Sequence, residues 1–168
     1  MLKLARAQDP GGDYRLLTGD CFDELTGESC DLILSAFTFD NIPTLEKKVR
    51  LFRELKKLLA PEGKIINLVS SPDIYVHEWT SFTTRDFPEN RLAKSGDRVK
   101  IVMKDVKDRR PVEDILWADD AYRKVYELAG LETLLMLKPL AKADEPYEWV
   151  NETKIAPWVI YVLKKRRE

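Results

Sequence analysis

The sequence contains little cysteine and histidine, and these shortages exclude several kinds of site. Among its 168 residues are two cysteines and one histidine. Cys21 and Cys30 do not have metal-ligand spacing, so no metal site is expected. Without a secretory signal we expect both to be reduced thiols of a cytoplasmic protein. A disulfide framework and a Cys–His metal centre are therefore excluded.

The sequence also lacks an excess of one charge sign and lacks long hydrophobic runs. Its 28 Lys and Arg residues nearly balance its 29 Asp and Glu residues. Such a balance does not favour a nucleic-acid partner. No apolar run approaches the ~20 residues of a membrane helix, so no membrane partner is expected. With 44% hydrophobic residues, the chain can bury one core, which predicts a soluble single domain over residues 1–168.

What the sequence does contain is the pattern of a β–α–β unit. Residues 31–35 and 64–69 are apolar runs typical of buried strands. Between them a helix is predicted to open at Pro43 or Thr44 and to end before residues 61–63. The apolar stripe of this helix comprises Leu45, Val49, Phe52, Leu55 and Leu59. The basic residues expected to form its solvated face are Lys47, Lys48, Arg50, Lys56 and Lys57.

The strand ends are the first candidates for a ligand site. Open parallel sheets bind ligands beyond the carboxyl ends of their strands, which here are Asp20, residues 35–40, and residues 70–71. Such sheets usually carry a glycine-rich loop after their first strand. This chain instead begins like the tail of a helix, and its glycine pair at 11–12 precedes a strand. The first third of the expected domain is therefore predicted to be missing.

Residues 71–118 predict an insertion over the strand ends. They mix aromatic and charged side chains, and a hairpin is expected where residues 98–106 turn back into residues 111–117. We expect this segment to act as a lid that contacts substrate.

The remainder of the chain predicts one helix and an antiparallel sheet edge. Asp119 or Asp120 is expected to cap the helix, and Gly130 to end it. Strands at residues 131–137 and 158–164 are joined by a connection without helical pattern. They are therefore predicted to form a terminal antiparallel hairpin.

Four of these patterns, in this order, resemble the class I S-adenosylmethionine-dependent methyltransferases. They are Gly19, Asp20 and Cys21 after one strand, DLILSAF at 31–37, LLAPEGKII at 58–66 and AGLE at 129–132. The resemblance covers nearly the whole chain. It implies an α/β, Rossmann-like fold that is N-terminally truncated, with a lid insertion and a terminal hairpin. It also implies S-adenosyl-L-methionine as the cofactor and a small-molecule methyl acceptor.

The resemblance further implies roles for individual residues. Asp20 would accept a hydrogen bond from the adenine amino group, with Cys21 and Phe22 beside it. The residues beside the methionine portion would be Ser35, Ala36 and Phe37. The residues implied for the acceptor are Thr38, Phe39, Asp40, Ser71, Tyr75 and Trp149. The family's glycine-rich loop and ribose-binding acid would fall in the part expected to be missing, which would weaken cofactor binding by this chain alone.

Simpler interpretations of several residues stay open. Asp20 could equally be a turn residue, since aspartate is common in turns. Asp40 or Asn41 could equally cap a helix. His77 invites assignment as a general base because its pKa lies near neutrality. A lone histidine near two aromatic residues is, however, more often a packing residue.

Two hypotheses about function follow. The first is a methyltransferase, or its C-terminal part, and the alternative is a non-catalytic binding or scaffold module that has lost the cofactor site. A nucleotide-dependent oxidoreductase is disfavoured because such enzymes usually finish with parallel strands. The strand at 31–35 would lack a neighbour on one side, and unpaired edges template pairing. We therefore expect a homodimer through this edge, or a pairing with residues 14–18.

Overall fold

A mixed four-stranded β-sheet forms the centre of the structure. This computed structural model describes residues 2–14 and 30–167. Its α-helices and strands are α1 (Leu2–Gln8), β1 (Cys30–Ala36), α2 (Leu45–Leu58), β2 (Leu59–Ser70), β3 (Phe82–Thr83), β4 (Arg98–Met103), β5 (Val112–Ile115), α3 (Asp119–Leu128), β6 (Leu131–Leu137) and β7 (Trp158–Lys165). The main sheet has the order β1-β2-β7-β6, and β3-β4-β5 form a second sheet.

The predicted β–α–β unit is present. β1 and β2 are parallel, with Ser35 opposite Asn67, and α2 connects them. Thr44 caps α2, because its hydroxyl accepts a hydrogen bond from the Lys47 N–H at 3.3 Å. Residues 61–63 belong to β2 rather than to a separate turn, and the pairing of β1 with β2 is irregular there.

The terminal hairpin is antiparallel, as predicted. β7 pairs antiparallel with both β2 and β6. Gly130 precedes β6 with a φ of 76°, the left-handed conformation that glycine adopts most readily. The predicted aspartate N-cap of α3 is wrong: Ala118 is the N-cap and makes no side-chain cap hydrogen bond, although the Asp120 carboxylate accepts from the Ala121 N–H at 2.8 Å within the first turn. Asp119 and Asp120 lie in the first turn, where their charge favours the helix dipole.

Helices α2 and α3 cover one face of the main sheet. Phe52 of α2, Tyr126 of α3 and Tyr161 of β7 are all buried in the core between them. The ring of Tyr126 lies 5.1 Å from that of Phe52 and 5.2 Å from that of Tyr161, both in edge-on geometry. Such contacts fix the helices on the sheet and leave the carboxyl ends of β1 and β2 accessible.

The insertion at residues 71–118 has an apolar core of its own. Its predicted hairpin is present as β4 and β5, which pair antiparallel. Trp79, Phe82 and Val99 are buried in this second core, against which Trp158 of β7 packs. The insertion is therefore fixed to the main sheet where β2 and β7 meet.

The other face of the main sheet carries exposed apolar side chains. Leu34 of β1 is 69% exposed and Leu137 of β6 is 44% exposed. Among the described residues, β1 pairs only with β2, and residues 15–18 of the alternative pairing lie outside them. The homodimer therefore stays a prediction. In the part of the chain that the structure describes, no helix combines the length and apolar character needed to cross a membrane.

Candidate functional site

A cleft of about 640 Å³ opens at the carboxyl ends of β1 and β2. Phe37 and Asp40 reach it from the segment after β1, and Ser70 from the last position of β2. The insertion supplies one wall, and the segment between β6 and β7 supplies another through Trp149 and Glu152. The strand ends, the insertion and a distant connection thus converge where open α/β sheets bind ligands.

Phe37 enters the cleft from a strained backbone position. Its φ of 54° lies in the left-handed region, which is uncommon for a residue other than glycine. The Phe37 N–H donates to the Leu68 carbonyl at 2.9 Å, and the ring lies 4.7 Å from that of Trp158. Strain of this kind concentrates at functional sites, and here it directs an aromatic ring into the cleft.

Asp40 forms the polar end of the cleft and is almost fully buried. One carboxylate oxygen accepts hydrogen bonds from the Ser70 N–H at 3.0 Å and the Ser70 hydroxyl at 2.9 Å. The other accepts one from the Tyr122 hydroxyl at 2.8 Å. Burial raises the pKa of Asp40 above its usual value, although these hydrogen bonds and the positive charge of Lys48 lower it.

Behind Asp40 lies Lys48, which has no exposed surface. Its ammonium group donates to the backbone carbonyls of Phe39 and Asp40 and lies 4.7 Å from the centre of the Trp117 ring. Burial lowers the pKa of Lys48 to about 7, against the attraction of the Asp40 carboxylate. The prediction that Lys48 belongs to a solvated face is therefore wrong.

Asn41 connects the strand end to the insertion. Its side-chain amide donates to the Asp114 carboxylate at 3.0 Å, and its oxygen accepts from the Ile115 N–H at 3.1 Å. The Asn41 side chain thus makes two hydrogen bonds to adjacent residues of β5. This interaction fixes the position of Asp114 in the cleft.

Glu152 fixes the opposite wall. Its carboxylate accepts hydrogen bonds from the N–H groups of Thr80, Val150 and Asn151 at 2.6 to 3.0 Å. Burial alone would raise the pKa of Glu152, but these hydrogen bonds outweigh it and hold the pKa below its usual value. Its charge is therefore already balanced by the backbone.

Of the residues given cofactor or acceptor roles from the sequence, Phe37, Asp40 and Trp149 line the cleft, as does Ser70 from the predicted strand end. Ser35 is buried in β1, and Ala36 beside it is exposed. Asp20, Cys21 and Phe22 lie outside the described residues.

The other named residues lie around the cleft without lining it. Thr38 donates to the Ala36 carbonyl at 3.2 Å, and the Phe39 ring packs 5.5 Å from that of Phe52. Ser71 accepts from the Asp73 N–H at the start of a 3-10 helix, Pro72–Tyr75, in which Tyr75 is buried. The single histidine, His77, lines a separate pocket of about 380 Å³.

Sequence reasoning missed Lys48, Tyr122, Asp114 and Glu152. For Lys48 a signal was available, because it lies three residues after Leu45 and four before Phe52. Helical spacing therefore places it on the apolar stripe. The other three contact the site from distant parts of the chain, and no local pattern indicates their roles.

Comparison with known proteins agrees with this geometry. A family model described as a methyltransferase domain matches residues 1–67. No match is found among curated proteins.

Solved structures share the fold along most of the chain. An S-adenosylmethionine-dependent methyltransferase from Mesorhizobium loti is 17% identical, with a TM-score of 0.63, over 96% of this chain and 75% of its own. A SAM-dependent methyltransferase from Methanosarcina mazei is 11% identical, with a TM-score of 0.60, over 99% and 78%. A SAM-dependent methyltransferase from Leishmania major is 17% identical, with a TM-score of 0.58, over 98% of this chain and only 51% of its own.

These low identities show the fold alone, whereas the match to the methyltransferase domain adds sequence evidence for the first 67 residues. Together they confirm the predicted resemblance: the chain has the α/β, Rossmann-like fold of the class I S-adenosylmethionine-dependent methyltransferases.

Proposed function

We propose that this chain acts in S-adenosylmethionine-dependent methyl transfer and that the cleft holds the methyl acceptor. The observation that carries the proposal is the position of the cleft, between the end of β1 and the insertion. The match to the methyltransferase domain includes all of β1. No observation favours the non-catalytic alternative.

The described residues fit a cofactor beside β1. Ala36 and Phe37 are exposed at the end of this strand, and the hydroxyl of Ser35 is buried without a hydrogen bond among the described residues. We propose that these three residues contact the methionine portion and that Asp20, with Cys21 and Phe22, binds the adenine. When bound, the cofactor would supply a methyl group from its sulfonium ion: a lone pair of the acceptor would form the new bond to the methyl carbon as the carbon–sulfur bond breaks, and the electron pair of that bond would stay on sulfur.

The residues of this chain would then contribute by positioning the acceptor and by forming the walls around it. In-line displacement depends on proximity and orientation, and correct placement alone can lower such a barrier by about 7 to 11 kcal/mol. Phe37 lies at the boundary between the proposed cofactor contacts and the cleft, so its ring would orient the acceptor toward the methyl group. Asp40 and Ser70 supply fixed polar atoms at the same boundary.

The acceptor proposed for this cleft is a small molecule. Ligand pockets for small molecules typically span about 300 to 1,000 Å³, with mostly apolar walls and few polar groups. The cleft, at about 640 Å³, falls in this range and has aromatic walls.

Calorimetric titration with S-adenosylhomocysteine tests the proposed function. We expect measurable binding by the full chain and loss of at least tenfold in affinity in Asp20→Ala, because the adenine hydrogen bond would be lost. Asp31→Ala removes an exposed carboxylate at the start of β1 and serves as the matched control. Absence of binding, or equal losses in both variants, would contradict the proposal and favour the non-catalytic alternative.

A further inference from the structure

The cleft is acidic on its described surface. Four of its lining residues carry a carboxylate, namely Asp40, Asp105, Asp114 and Glu152, and none of the described lining residues is Lys, Arg or His. This composition contrasts with the near-balance of charge in the whole chain. The distribution of these charges within the cleft decides what they can bind.

Two of the four carboxylates are balanced by the protein itself. Asp40 has the buried ammonium of Lys48 nearby, and Glu152 accepts three backbone hydrogen bonds. Neither needs a further partner.

The other two are not balanced. Asp114 is bound by the neutral amide of Asn41 and has no ion pair among the described residues. The carboxylate of Asp105 makes neither a hydrogen bond nor an ion pair with any described residue. Two negative charges therefore face the cleft without a positively charged partner in the described part of the chain. A bound cation would stabilise each of them electrostatically.

A third polar group, beside Asp114, makes no hydrogen bond of normal geometry within the described part of the chain. Tyr75 is 1% exposed, and its hydroxyl makes no hydrogen bond among the described residues. The hydroxyl lies close to the side chains of Ser70 and Asp114, which both line the cleft, but neither contact has the geometry of a hydrogen bond. A buried hydroxyl left unpaired is costly, so the side of the cleft at Asp114 is short of a polar partner.

Aromatic rings complete the surroundings of these carboxylates. Trp79, Phe82 and Trp158 line the cleft, with the Phe82 ring 5.7 Å from Trp79 and 6.3 Å from Trp158. Aromatic faces attract organic cations and bury apolar surface at the same time.

We propose that the methyl acceptor is a small organic cation, with its apolar body on these rings and a protonated amine or related cationic group at Asp114, while Asp105 adds negative charge further along the same cleft. This inference rests on the proposed function, because it takes the cleft to be the acceptor site. It concerns the charge by which the acceptor is held and leaves the methylated atom open.

Three probes of matched shape and different charge test the inference on the full chain: 2-phenylethylamine, 2-phenylethanol and 3-phenylpropanoate. Binding is followed by the indole N–H signals of the tryptophans in nitrogen-resolved NMR spectra. Trp79, Trp149 and Trp158 line the cleft, whereas Trp117 is buried in the main core and reports on non-specific change. We expect the amine alone to shift the three cleft signals and leave that of Trp117 unmoved.

Variants identify the charges responsible. Asp114→Asn should lower the affinity for the amine about tenfold, since a charge-assisted hydrogen bond would be lost, and Asp105→Asn should lower it by less, since only a more distant charge would be lost. Asn at position 114 keeps the oxygen that accepts from Asn41, so the hairpin should stay in place. Asp86→Asn removes an exposed carboxylate of the insertion that does not line the cleft, and it should leave binding unchanged.

The outcomes separate this inference from the proposed function. Equal binding of the amine and the alcohol, or equal weakening by all three variants, would overturn the cationic acceptor even if the chain binds S-adenosylhomocysteine. Amine binding by a chain that does not bind S-adenosylhomocysteine would overturn the acceptor role together with the proposed function.

Discussion

The carboxylate of Asp40 and the hydroxyl of Tyr122 meet at 2.8 Å, in a hydrogen bond that joins the segment after β1 to helix α3. Both groups are buried, and the Lys48 ammonium beside them donates to the Tyr122 hydroxyl at 3.5 Å and to the backbone carbonyl of Asp40 at 3.3 Å. This cluster links the polar end of the cleft to the main core.

Removing the Tyr122 hydroxyl is expected to destabilise the fold. Tyr122→Phe leaves one oxygen of Asp40 without its donor, and such a loss costs about 1 to 3 kcal/mol. Urea unfolding measures the change in the free energy of unfolding. Tyr147→Phe, at a ring that is 62% exposed, is the control and should be nearly neutral. Equal effects in the two variants would contradict a structural role for the hydrogen bond.

Lys48 is expected to make stability depend on pH. Its folded pKa of about 7 lies below the unfolded value near 10.4, so the unfolded state binds more protons between these values. Stability should therefore rise with pH across this window. Between pH 7 and 9 we expect a gain of about 2 kcal/mol in the wild-type protein relative to Lys48→Met. If the free energy of unfolding changed equally with pH in the two proteins, the Lys48 ammonium would not titrate between pH 7 and 9, which would contradict the prediction.

The edge of β1 that has no strand partner among residues 2–14 and 30–167 is expected to mediate self-association. Leu34→Lys places a charge on this strand, where it should prevent pairing with a second copy. Light scattering after size-exclusion chromatography should show a wild-type dimer and a monomeric variant. Leu92→Lys, in the insertion at a side chain that is 82% exposed, should remain dimeric. A wild-type protein that is monomeric at all concentrations would contradict the prediction.

Gly63 is expected to tolerate no side chain. A Cβ atom there would lie 2.7 Å from the Cys30 carbonyl oxygen and 3.1 Å from the backbone of Ala60. Gly63→Ala should therefore separate β1 from β2 locally and lower the free energy of unfolding by about 1 to 3 kcal/mol. At Gly11 a Cβ would meet only the Asp9 side chain, at 3.7 Å. Gly11→Ala should consequently leave thermal stability nearly unchanged, and an equal loss there would rule out the steric explanation.

Much of the fold could be predicted because its signals are local. The apolar runs of β1 and β2, the stripe of α2 and Gly130 each depend on neighbours within a few residues. The antiparallel direction of β7 could be predicted because the segment that precedes it has no helical pattern. The cap of α3 was predicted wrongly because an aspartate at a helix start suits both the cap and the first turn, and only backbone geometry separates them.

The site was predicted less completely, and the reason is distance along the chain. Asp40 and Phe37 adjoin a strand end, so position alone suggested them. Tyr122, Asp114 and Glu152 reach the site only through tertiary packing, and Glu152 acquires its role from the N–H of Thr80, which lies 72 positions away. Burial of Lys48 ran against the usual exposure of lysine, although its helical spacing indicated the core.

The separate core of the insertion has a consequence for turnover. A segment with its own apolar centre can open and close as a cooperative unit while the rest of the protein stays folded. The routes by which an acceptor enters and a product leaves would then depend on the opening of residues 71–118, and not on the stability of the main sheet. Changes in that small core would alter the rate of exchange at the cleft together with the shape of its walls, because Trp79 and Phe82 belong to both and Trp158 joins this core to the start of β7.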